Sequence, residues 1–332
     1  MNVLFLGGSN TWGAGADDYS SSYAGLTAAY LENRFPGATI CNTGISGTGT
    51  RLCAFQIDRL VKETNPDIVF MEYSINDSGL ALTDENQVLA DMEYVVRSIL
   101  AHNPKVYILP LFFAKQDFKS CTATHQKIAD HYGLDCIELQ EPMRELTKNA
   151  EIWSEYFVDA VHPNNQGHKF YFDHIKAFLE SKTDAELTRT APIPAHFVAP
   201  IYTDPKMVDA GQLLKHPAWT RTTYRDFKYW DSVYIHNYLH CNTPGVPVEF
   251  TFTGKTFSLY HMVRNDCGKL KITVDGTDYI QDCYYNCDGD FVVFFNLYHL
   301  EQGEHTVSIT LLPEANEHSI GITAGICGFL ID

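Results

Sequence analysis

The sequence has few basic residues for its length. Its 332 residues include 24 lysines and arginines against 41 aspartates and glutamates, which gives a formal net charge of −17 at pH 7. Because nucleic acids and anionic membrane surfaces are bound mainly by lysine and arginine, this balance argues against both as partners. The longest apolar runs also fall well short of the ~20 residues that span a bilayer.

Targeting, disulfide and metal-binding patterns are missing as well. The chain starts almost at once with a strand pattern and lacks the basic and apolar stretches of a secretory signal, so we expect a cytoplasmic protein unless a leader has been trimmed. The nine cysteines, an odd number scattered along the chain, indicate reduced thiols and not a disulfide framework. Cys283 and Cys287 lack the spacing of a zinc site, and we predict no metal and no cofactor.

Strand and helix patterns alternate through the first half of the sequence. Apolar runs predict five buried strands: Val3–Leu6, Thr39–Asn42, Ile68–Tyr73, Val106–Leu111 and Asp135–Leu139. Apolar residues recur at helical spacing between them, notably from Val88 to Ile99 and from Leu52 to Val61, and Asn164–Leu179 predicts a closing helix. This alternation predicts an α/β fold, a three-layer flavodoxin-like unit with a parallel five-stranded sheet, over residues 1–182.

The pattern changes after residue 182. Several prolines in a stretch with little periodicity predict a linker or wrapping segment over residues 183–222. Beyond it apolar and polar residues alternate, as from Val248 to Phe252, and an Asp275-Gly276 turn separates two such runs. Antiparallel strands with few helical signals predict a jelly-roll-like β-sandwich over residues 223–332.

Four short segments carry residue types that acyl transfer requires. They are Gly7 to Thr11 after the first strand, Gly44 to Gly47 in a glycine-rich turn, Ile75-Asn76-Asp77 after the third strand, and Asp159 to Pro163. A serine hydroxyl attacks a carbonyl poorly unless a base removes its proton and fixed donors receive the charge that develops on the oxygen. The four segments hold a candidate for each part.

Each part can be assigned to a residue. Ser9 is the candidate nucleophile, because it would lie at the carboxyl end of a strand, where open α/β sheets bind ligands. Asp159 can hold the imidazole of His162 while its other ring nitrogen faces Ser9. The N–H groups of Ser9 and Gly47 and the amide of Asn76 would form an oxyanion hole. Five further side chains are candidates for lining a substrate pocket: Asn10, Trp12, Asp77, Phe112 and Phe113.

Other interpretations of the glycine-rich turn fail on the sequence. A phosphate-binding loop needs a lysine where Ala14 stands, and the dinucleotide-binding pattern is broken too. The Gly-x-Ser-x-Gly motif of α/β-hydrolases breaks at Thr11, and that fold separates its acid from its histidine by many more residues. Asn-Asp is usually a turn and Asp-x-x-His a surface loop. The prediction therefore depends on all four segments occurring together in this order.

In these segments the chain resembles the SGNH (GDSL-type) hydrolases. The four letters of that family's name match one residue each: Ser9, Gly47, Asn76 and His162. Asp159 has the family's usual place three residues before the histidine, and the resemblance covers roughly residues 1–180. The family's Gly-Asp-Ser block reads Gly-Gly-Ser here. Gly44 competes with Gly47 for the donor role, although the neighbours of Gly47 match the family block better.

The resemblance implies an esterase, while its substrate has to come from other features. Activities in the family include sugar acetate, lipid ester and thioester hydrolysis. The β-sandwich, resembling modules attached to carbohydrate esterases, favours sugars. Aromatic residues near its start could stack on sugar rings, although such residues more often fill a core: Trp219, Tyr224, Phe227, Tyr229, Trp230 and Tyr234. No segment has the broad apolar character of a lipase lid.

We therefore predict a serine esterase that removes small acyl groups, above all acetyl, from carbohydrate. The expected partner is a small-molecule or oligosaccharide ester, and a homo-oligomer is left open. Three alternatives also stay open: a lipid or acyl-thioester hydrolase of the same fold, a non-catalytic carbohydrate-binding protein, and an acyltransferase.

Overall fold

The structure is a computed structural model that describes residues 1–78, 84–213, 216–223, 237–287, 291–297 and 300–332. The chain divides into two compact units, Met1–Ile201 and Tyr202–Asp332. Within the described residues, every helix is too short or too polar to span a bilayer.

A five-stranded parallel sheet forms the centre of the first unit. Its strands are β1 (Asn2–Gly7), β2 (Thr39–Asn42), β3 (Ile68–Glu72), β4 (Tyr107–Phe112) and β5 (Ile137–Glu138). Their spatial order is β2-β1-β3-β4-β5, and every neighbouring pair is parallel. In a sheet of this order the strand sequence reverses between β1 and β3, and ligands of such sheets bind at that point.

Helices connect these strands. They are α1 (Ser9–Trp12), α2 (Tyr23–Arg34), α3 (Thr50–Ala54), α4 (Ile57–Thr64), α5 (Ser74–Asp77), α6 (Glu85–His102), α7 (Thr122–Tyr132), α8 (Gln140–Leu146) and α9 (Asn165–Glu180), with single 3₁₀ turns at Tyr19–Ser21 and Trp153–Glu155. The predicted pattern from Val88 to Ile99 lies in α6 and faces the core. The pattern from Leu52 to Val61 is interrupted at Phe55 and Gln56, so it forms two helices.

The register of β1 and β3 brings the ends of the two strands together. Phe5 lies opposite Phe70, and their rings stack with 4.7 Å between centroids. Two positions further on, Gly7 lies opposite Glu72, so α1 and α5 begin side by side. Burying an apolar side chain such as Phe5 or Phe70 stabilises the fold by roughly 1.5–3 kcal/mol. The core that fixes the sheet thereby also fixes the start of both helices.

Two antiparallel sheets form the second unit. Its elements are β6 (Lys206–Asp209), α10 (Ala210–Leu213), β7 (Thr220–Thr223), β8 (Asn237–Cys241), β9 (Pro247–Gly254), β10 (Phe257–Val263), β11 (Gly268–Val274), β12 (Thr277–Asp282), β13 (Phe291–Leu297), β14 (Gly303–Ala315) and β15 (Ala324–Ile331). One sheet has the order β13-β10-β15-β8-β7 with β6 beside β15, and the other has the order β12-β11-β14-β9.

The two sheets share one apolar core. Phe250 on β9 packs against Phe329 on β15 with 4.4 Å between ring centroids, so side chains of one sheet contact those of the other. Asp275 and Gly276 have φ of 49° and 81° and join β11 to β12 as predicted; positive φ at both residues is what a tight two-residue hairpin requires. A parallel α/β unit followed by antiparallel sheets confirms the predicted fold class.

The segment predicted as a linker is divided between the two units. Leu187 is buried in the core of the first unit, and the carboxylate of Glu93 accepts the N–H groups of Phe197 and Val198. Strand β6, in contrast, pairs with β15 of the second unit. Residues 183–201 therefore belong to the first compact unit, and the second begins at Tyr202. Periodicity does not reveal this division, because it depends on one buried carboxylate that accepts two backbone N–H groups.

Candidate active site

Ser9 lies at the turn between β1 and α1. It is the first residue of α1 and is 4% exposed. A Cβ on Gly7 would lie 1.9 Å from Thr11 Oγ1 and 2.9 Å from the backbone oxygen of Glu72. Only glycine fits there, because the chain turns from strand to helix within one residue. This turn places the Ser9 hydroxyl at the carboxyl end of the sheet.

His162 and Ser9 meet within hydrogen-bond distance although 153 residues separate them. The Ser9 Oγ is 2.9 Å from His162 Nε2, and His162 Nδ1 is 2.7 Å from Asp159 Oδ2. A carboxylate only accepts, so Nδ1 carries the proton and Nε2 presents its lone pair to the serine hydroxyl. The structure thus brings together all three residues that were predicted as nucleophile, base and orienting acid.

The Asp159 carboxylate is fixed and ionised. Its Oδ1 accepts the backbone N–H groups of Val161 and His162, at 2.7 and 2.8 Å. Burial raises the pKa of Asp159, but the hydrogen bonds from His162 and Val161 outweigh burial and hold the pKa below its ordinary value. The carboxylate therefore stays charged at neutral pH and favours the Nδ1–H tautomer of the imidazole.

A loop after α1 holds the His162 segment in place. Gly15 approaches it so closely that a Cβ there would lie 2.2 Å from the backbone oxygen of Pro163. Two residues on, Asp17 and Asn165 exchange hydrogen bonds of 2.7 and 3.0 Å. Because Ala14 N–H also bonds to the Ser9 carbonyl at 2.9 Å, the loop joins the turn of the nucleophile to the loop of the base.

His168 is a second histidine at this point, and sequence reasoning did not identify it. Its Nδ1 accepts the N–H of Tyr23 at 3.2 Å, and its Nε2 donates to the Ala14 carbonyl at 3.0 Å. Burial lowers its pKa to about 4, so the ring is neutral and keeps this donor and acceptor pattern. The usable signal was its spacing: His168 shares the buried face of α9 with Tyr171, Ile175 and Leu179.

Of the other two predicted oxyanion donors, Asn76 lies against the residue before Ser9, and Gly47 lies in the turn before α3. Asn76 is in α5, and a Cβ on Gly8 would lie 2.5 Å from Asn76 Oδ1 and 3.1 Å from its Nδ2. The Asn76 amide therefore occupies the space that a side chain at position 8 would need, which accounts for glycine before the nucleophile. Gly47 has φ of 73° in the turn before α3. Gly44, the competing donor, already gives its N–H to Asn42 Oδ1 at 2.8 Å.

Three of the five predicted pocket residues do not lie where a pocket was expected. Phe112 and Phe113 are fully buried, and Phe113 stacks on Tyr171 at 4.0 Å within the core. Asp77 is also fully buried, with both carboxylate oxygens hydrogen-bonded inside the unit. These three were wrong as pocket residues, because side chains without exposed surface cannot line a cleft open to solvent.

The two remaining pocket candidates are on α1 next to the nucleophile. Asn10 is buried and its Oδ1 has no hydrogen-bond partner, while Trp12 is half-buried. Trp219 of the aromatic group is 5% exposed and belongs to the sandwich core, and the other five aromatics lie outside the described residues. Across the described ranges, no three His, Cys, Asp or Glu side chains are grouped so that they could hold a metal ion.

Comparison with known proteins bears on the family and the fold of the chain. The model of the GDSL-like lipase/acylhydrolase family matches residues 5–170. No curated protein matches the chain. Among solved structures, a two-domain esterase (CEX) active on acetylated mannans is similar over 100% of this chain. In its co-crystal with mannopentaose it has 21% identity, a TM-score of 0.84 and 90% of its own length covered.

Two further solved structures are similar. Another structure of the acetylated-mannan esterase has 21% identity and a TM-score of 0.82, with 100% of this chain and 91% of that one covered. An acetyl xylan esterase, AlAXEase, has 21% identity and a TM-score of 0.45, with 54% of this chain and 100% of that one covered.

Proposed function

Because the chain belongs to the GDSL-like lipase/acylhydrolase family and is a carboxylic ester hydrolase, we propose that it removes small acyl groups, above all acetyl, from carbohydrate by serine catalysis. The observation that carries the proposal is the pair of hydrogen bonds that joins Ser9 to His162 and His162 to Asp159. A neutral imidazole whose lone pair faces a hydroxyl is the arrangement a general base requires.

The reaction begins with proton transfer from Ser9 to His162. The Ser9 Oγ forms a bond to the ester carbonyl carbon as its proton passes to Nε2, and the carbonyl oxygen becomes an oxyanion. Asp159 stabilises the imidazolium that results and keeps its proton on Nδ1 throughout. The carboxylate itself takes up no proton.

The oxyanion is received by the N–H groups of Ser9 and Gly47 and the amide of Asn76. These donors are fixed before the substrate arrives, so little reorganisation is needed as charge develops. An amide donor at Asn76 also avoids the cost of burying a charged side chain.

The leaving alcohol is expelled when the oxyanion collapses. His162 returns its proton to the sugar oxygen as the ester C–O bond breaks, which leaves the acyl group on Ser9. A water molecule then gives a proton to His162 and attacks the acyl-enzyme. Collapse of this second oxyanion releases the carboxylic acid, and the proton on His162 returns to Ser9.

Support for a carbohydrate ester comes from the architecture. The similarity to the acetylated-mannan esterase extends over the whole chain, including the second unit.

The test of the reaction is the turnover of a chromogenic aryl acetate by the wild type and by Ser9→Ala. We expect Ser9→Ala to lose hydrolysis by several orders of magnitude, because no other hydroxyl shares a proton with His162 Nε2 in the described residues. Near-normal turnover by this variant would end the proposal of serine catalysis.

The test of the substrate has two arms. Acetate release from acetylated mannan, xylan and pectin oligosaccharides should exceed release from aryl acetate at equal concentration for at least one polymer. In a series of aryl esters from acetate to octanoate, kcat/KM should fall with chain length. A rise towards octanoate would instead indicate a lipid or thioester hydrolase.

A further inference from the structure

The buried carboxylate of Asp77 joins both elements that carry the oxyanion donors. It directly follows Asn76 in α5, at the carboxyl end of β3, and its side chain has no exposed surface. A charged group without solvent has to be satisfied by the protein, so its partners show what it holds.

Two of its partners belong to one residue of α3. Asp77 Oδ1 accepts the backbone N–H of Thr50 at 2.9 Å, and Oδ2 accepts the Thr50 hydroxyl at 2.7 Å. The first N–H groups of a helix need an acceptor from outside the helix. Gly49 at the N-cap has no side chain to provide one, so Asp77 supplies the cap from 27 residues away.

This cap determines where Gly47 lies. Only Thr48 and Gly49 separate Gly47 from Thr50, and the Thr48 hydroxyl donates to the Ile45 carbonyl at 2.8 Å to close the turn. The turn has little freedom once Thr50 is fixed at one end, and Ile45 bonds to the Gly7 carbonyl at the other. The Gly47 N–H is thereby held at a set position relative to Asn76.

The third partner anchors Asp77 from the opposite side. His125 of α7 donates its Nε2–H to Asp77 Oδ2 at 2.8 Å, and both side chains are buried. The start of α7 is tied to α5 as well, since Cys121 N–H bonds to the Ser74 carbonyl at 2.8 Å. The Asp77 carboxylate is therefore held between α3 and α7, and its contacts with both helices restrict its movement.

We infer that Asp77 is a positioning residue for the oxyanion hole: it sets the Gly47 turn and the Asn76 amide at a fixed separation, without touching substrate. This inference rests on the proposed function, because it assigns the two donors to the oxyanion. Preorganised donors lose their effect when displaced by a fraction of an ångström to an ångström. A change at the Asp77 carboxylate should therefore displace both donors at once, the Asn76 amide and the Gly47 N–H.

The test compares Asp77→Asn with the wild type on a chromogenic aryl acetate. The asparagine has the same shape, but its NH₂ group cannot accept from Thr50 or His125. We expect kcat to fall on the order of 10²-fold, the effect of losing one oxyanion donor, with KM changed less than about threefold. The pH limb of kcat/KM should keep its position, since Asp159 and His162 are untouched.

Glu93→Gln is the matched control. Glu93 is equally a buried carboxylate of the first unit that accepts backbone N–H groups, but its partners Phe197 and Val198 lie in another segment. Both variants should lower the melting temperature, and only Asp77→Asn should lower kcat. Equal falls in kcat would show that Asp77 acts through stability alone and would overturn the inference.

A second pair of variants decides the matter if Asp77→Asn does not fold. Thr50→Val removes the hydroxyl donated to Asp77 but keeps the shape and the backbone N–H, while Thr50→Ser keeps the hydroxyl. We expect Thr50→Val to lower kcat roughly tenfold, a part of the effect of one lost donor, and Thr50→Ser to stay within about twofold of the wild type. Equal activity of the two would contradict the inference.

A double variant separates this inference from the proposed function. In an Asn76→Ala background, Asp77→Asn should cost severalfold less than in the wild type, because part of what it positions is already missing. Full additivity would contradict the inference while leaving the serine mechanism intact. Activity retained by Ser9→Ala would instead remove the proposed function and this inference together.

Discussion

Each of the two units contains an aspartate and histidine pair of nearly equal length. His162 Nδ1 lies 2.7 Å from Asp159 in the first unit, and His305 Nδ1 lies 2.6 Å from Asp275 in the second. The pairs differ at the other ring nitrogen. Nε2 of His162 faces a serine hydroxyl at 2.9 Å, whereas Nε2 of His305 lies 2.8 and 3.1 Å from two backbone carbonyls.

The second nitrogen decides what each pair can do. Carbonyl oxygens only accept, so His305 donates from both nitrogens and has no lone pair left to take a proton. Burial lowers the pKa of His305, but the hydrogen bonds to Asp275 and the two carbonyls outweigh burial and raise it above its ordinary value. The surroundings of His305 therefore favour its protonated form, whereas Nε2 of His162 faces a hydroxyl group that can give up a proton. A short distance between aspartate and histidine does not by itself indicate catalysis.

Substituting the two aspartates should give the largest difference in kcat between the two pairs. In Asp159→Asn the amide donates towards His162 Nδ1 and favours the wrong tautomer, so kcat should fall about 10⁴-fold. In Asp275→Asn kcat should stay within about twofold, with a loss confined to melting temperature. Kinetics on a chromogenic acetate and thermal unfolding of both variants provide the check, and equal losses of kcat would contradict our distinction.

The amide of Asn76 should show the next largest effect. Asn76→Ala removes one oxyanion donor, which typically costs 10²–10³-fold in kcat, with little change in KM. Asn316→Ala in the second unit, which removes a 2.8 Å hydrogen bond to Asp282, should leave both constants unchanged. Steady-state kinetics of the pair decides between an oxyanion role and a general effect of losing a side-chain amide.

The neutral histidines of the two units allow a finer comparison. Burial lowers the pKa of both His168 and His261 to about 4. His168 joins residues more than 140 positions away, whereas His261 Nδ1 contacts the carbonyl of the adjacent Met262 and the sulfur of Cys283.

Replacing each by leucine should separate the two roles. His168→Leu loosens the loop between the nucleophile and the base, and kcat should fall by up to about 10²-fold. His261→Leu should change stability and leave kcat within about twofold. Circular dichroism confirms folding of both variants, and an unchanged kcat in His168→Leu would show that the loop is held without this ring.

The smallest predicted effect concerns pH and not the rate. Glu72 is fully buried, and burial, with a smaller contribution from the charge on Asp77, raises its pKa to about 8, although a backbone hydrogen bond from Ile75 acts in the opposite direction. Between pH 4.5 and 8 the unfolded chain has lost this proton while the folded chain keeps it. The free energy of unfolding should therefore fall as pH rises, by at most about 1.4 kcal/mol per pH unit.

Glu72→Gln tests this, because the amide has no proton to lose. The variant should show a flatter pH dependence of the urea midpoint between pH 4.5 and 8 than the wild type. An unchanged slope would mean that Glu72 is ionised in the folded protein.

The sequence was sufficient for those features that depend on local pattern. Apolar runs located the five parallel strands, and Asp275-Gly276 located a hairpin, because strand burial and positive φ restrict the residue types allowed. The four motif segments placed Ser9, Asp159 and His162 at strand ends and loops, and the structure has them within hydrogen-bond distance.

Features that depend on a single buried polar contact could not be predicted. No local sequence pattern shows that the Glu93 carboxylate accepts the N–H groups of Phe197 and Val198, so the sequence predicted a linker or wrapping segment after residue 182. Asp77 beside the site also read as a pocket residue, because its partner Thr50 is close only in the folded chain. Polar contacts between residues far apart in the chain fix the position of a segment, but they leave no periodic pattern in the sequence.

The most direct test of the account is to find the atom that carries the acyl group. Wild-type enzyme mixed with aryl acetate and quenched in acid within the first turnover should carry one acetyl group on the peptide that contains Ser9. Mass spectrometry of the digested protein should find none on Ser9→Ala. Acetyl on another residue of the wild type, or an acetylated Ser9→Ala that still turns over, would contradict the claim that Ser9, activated by His162, is the nucleophile.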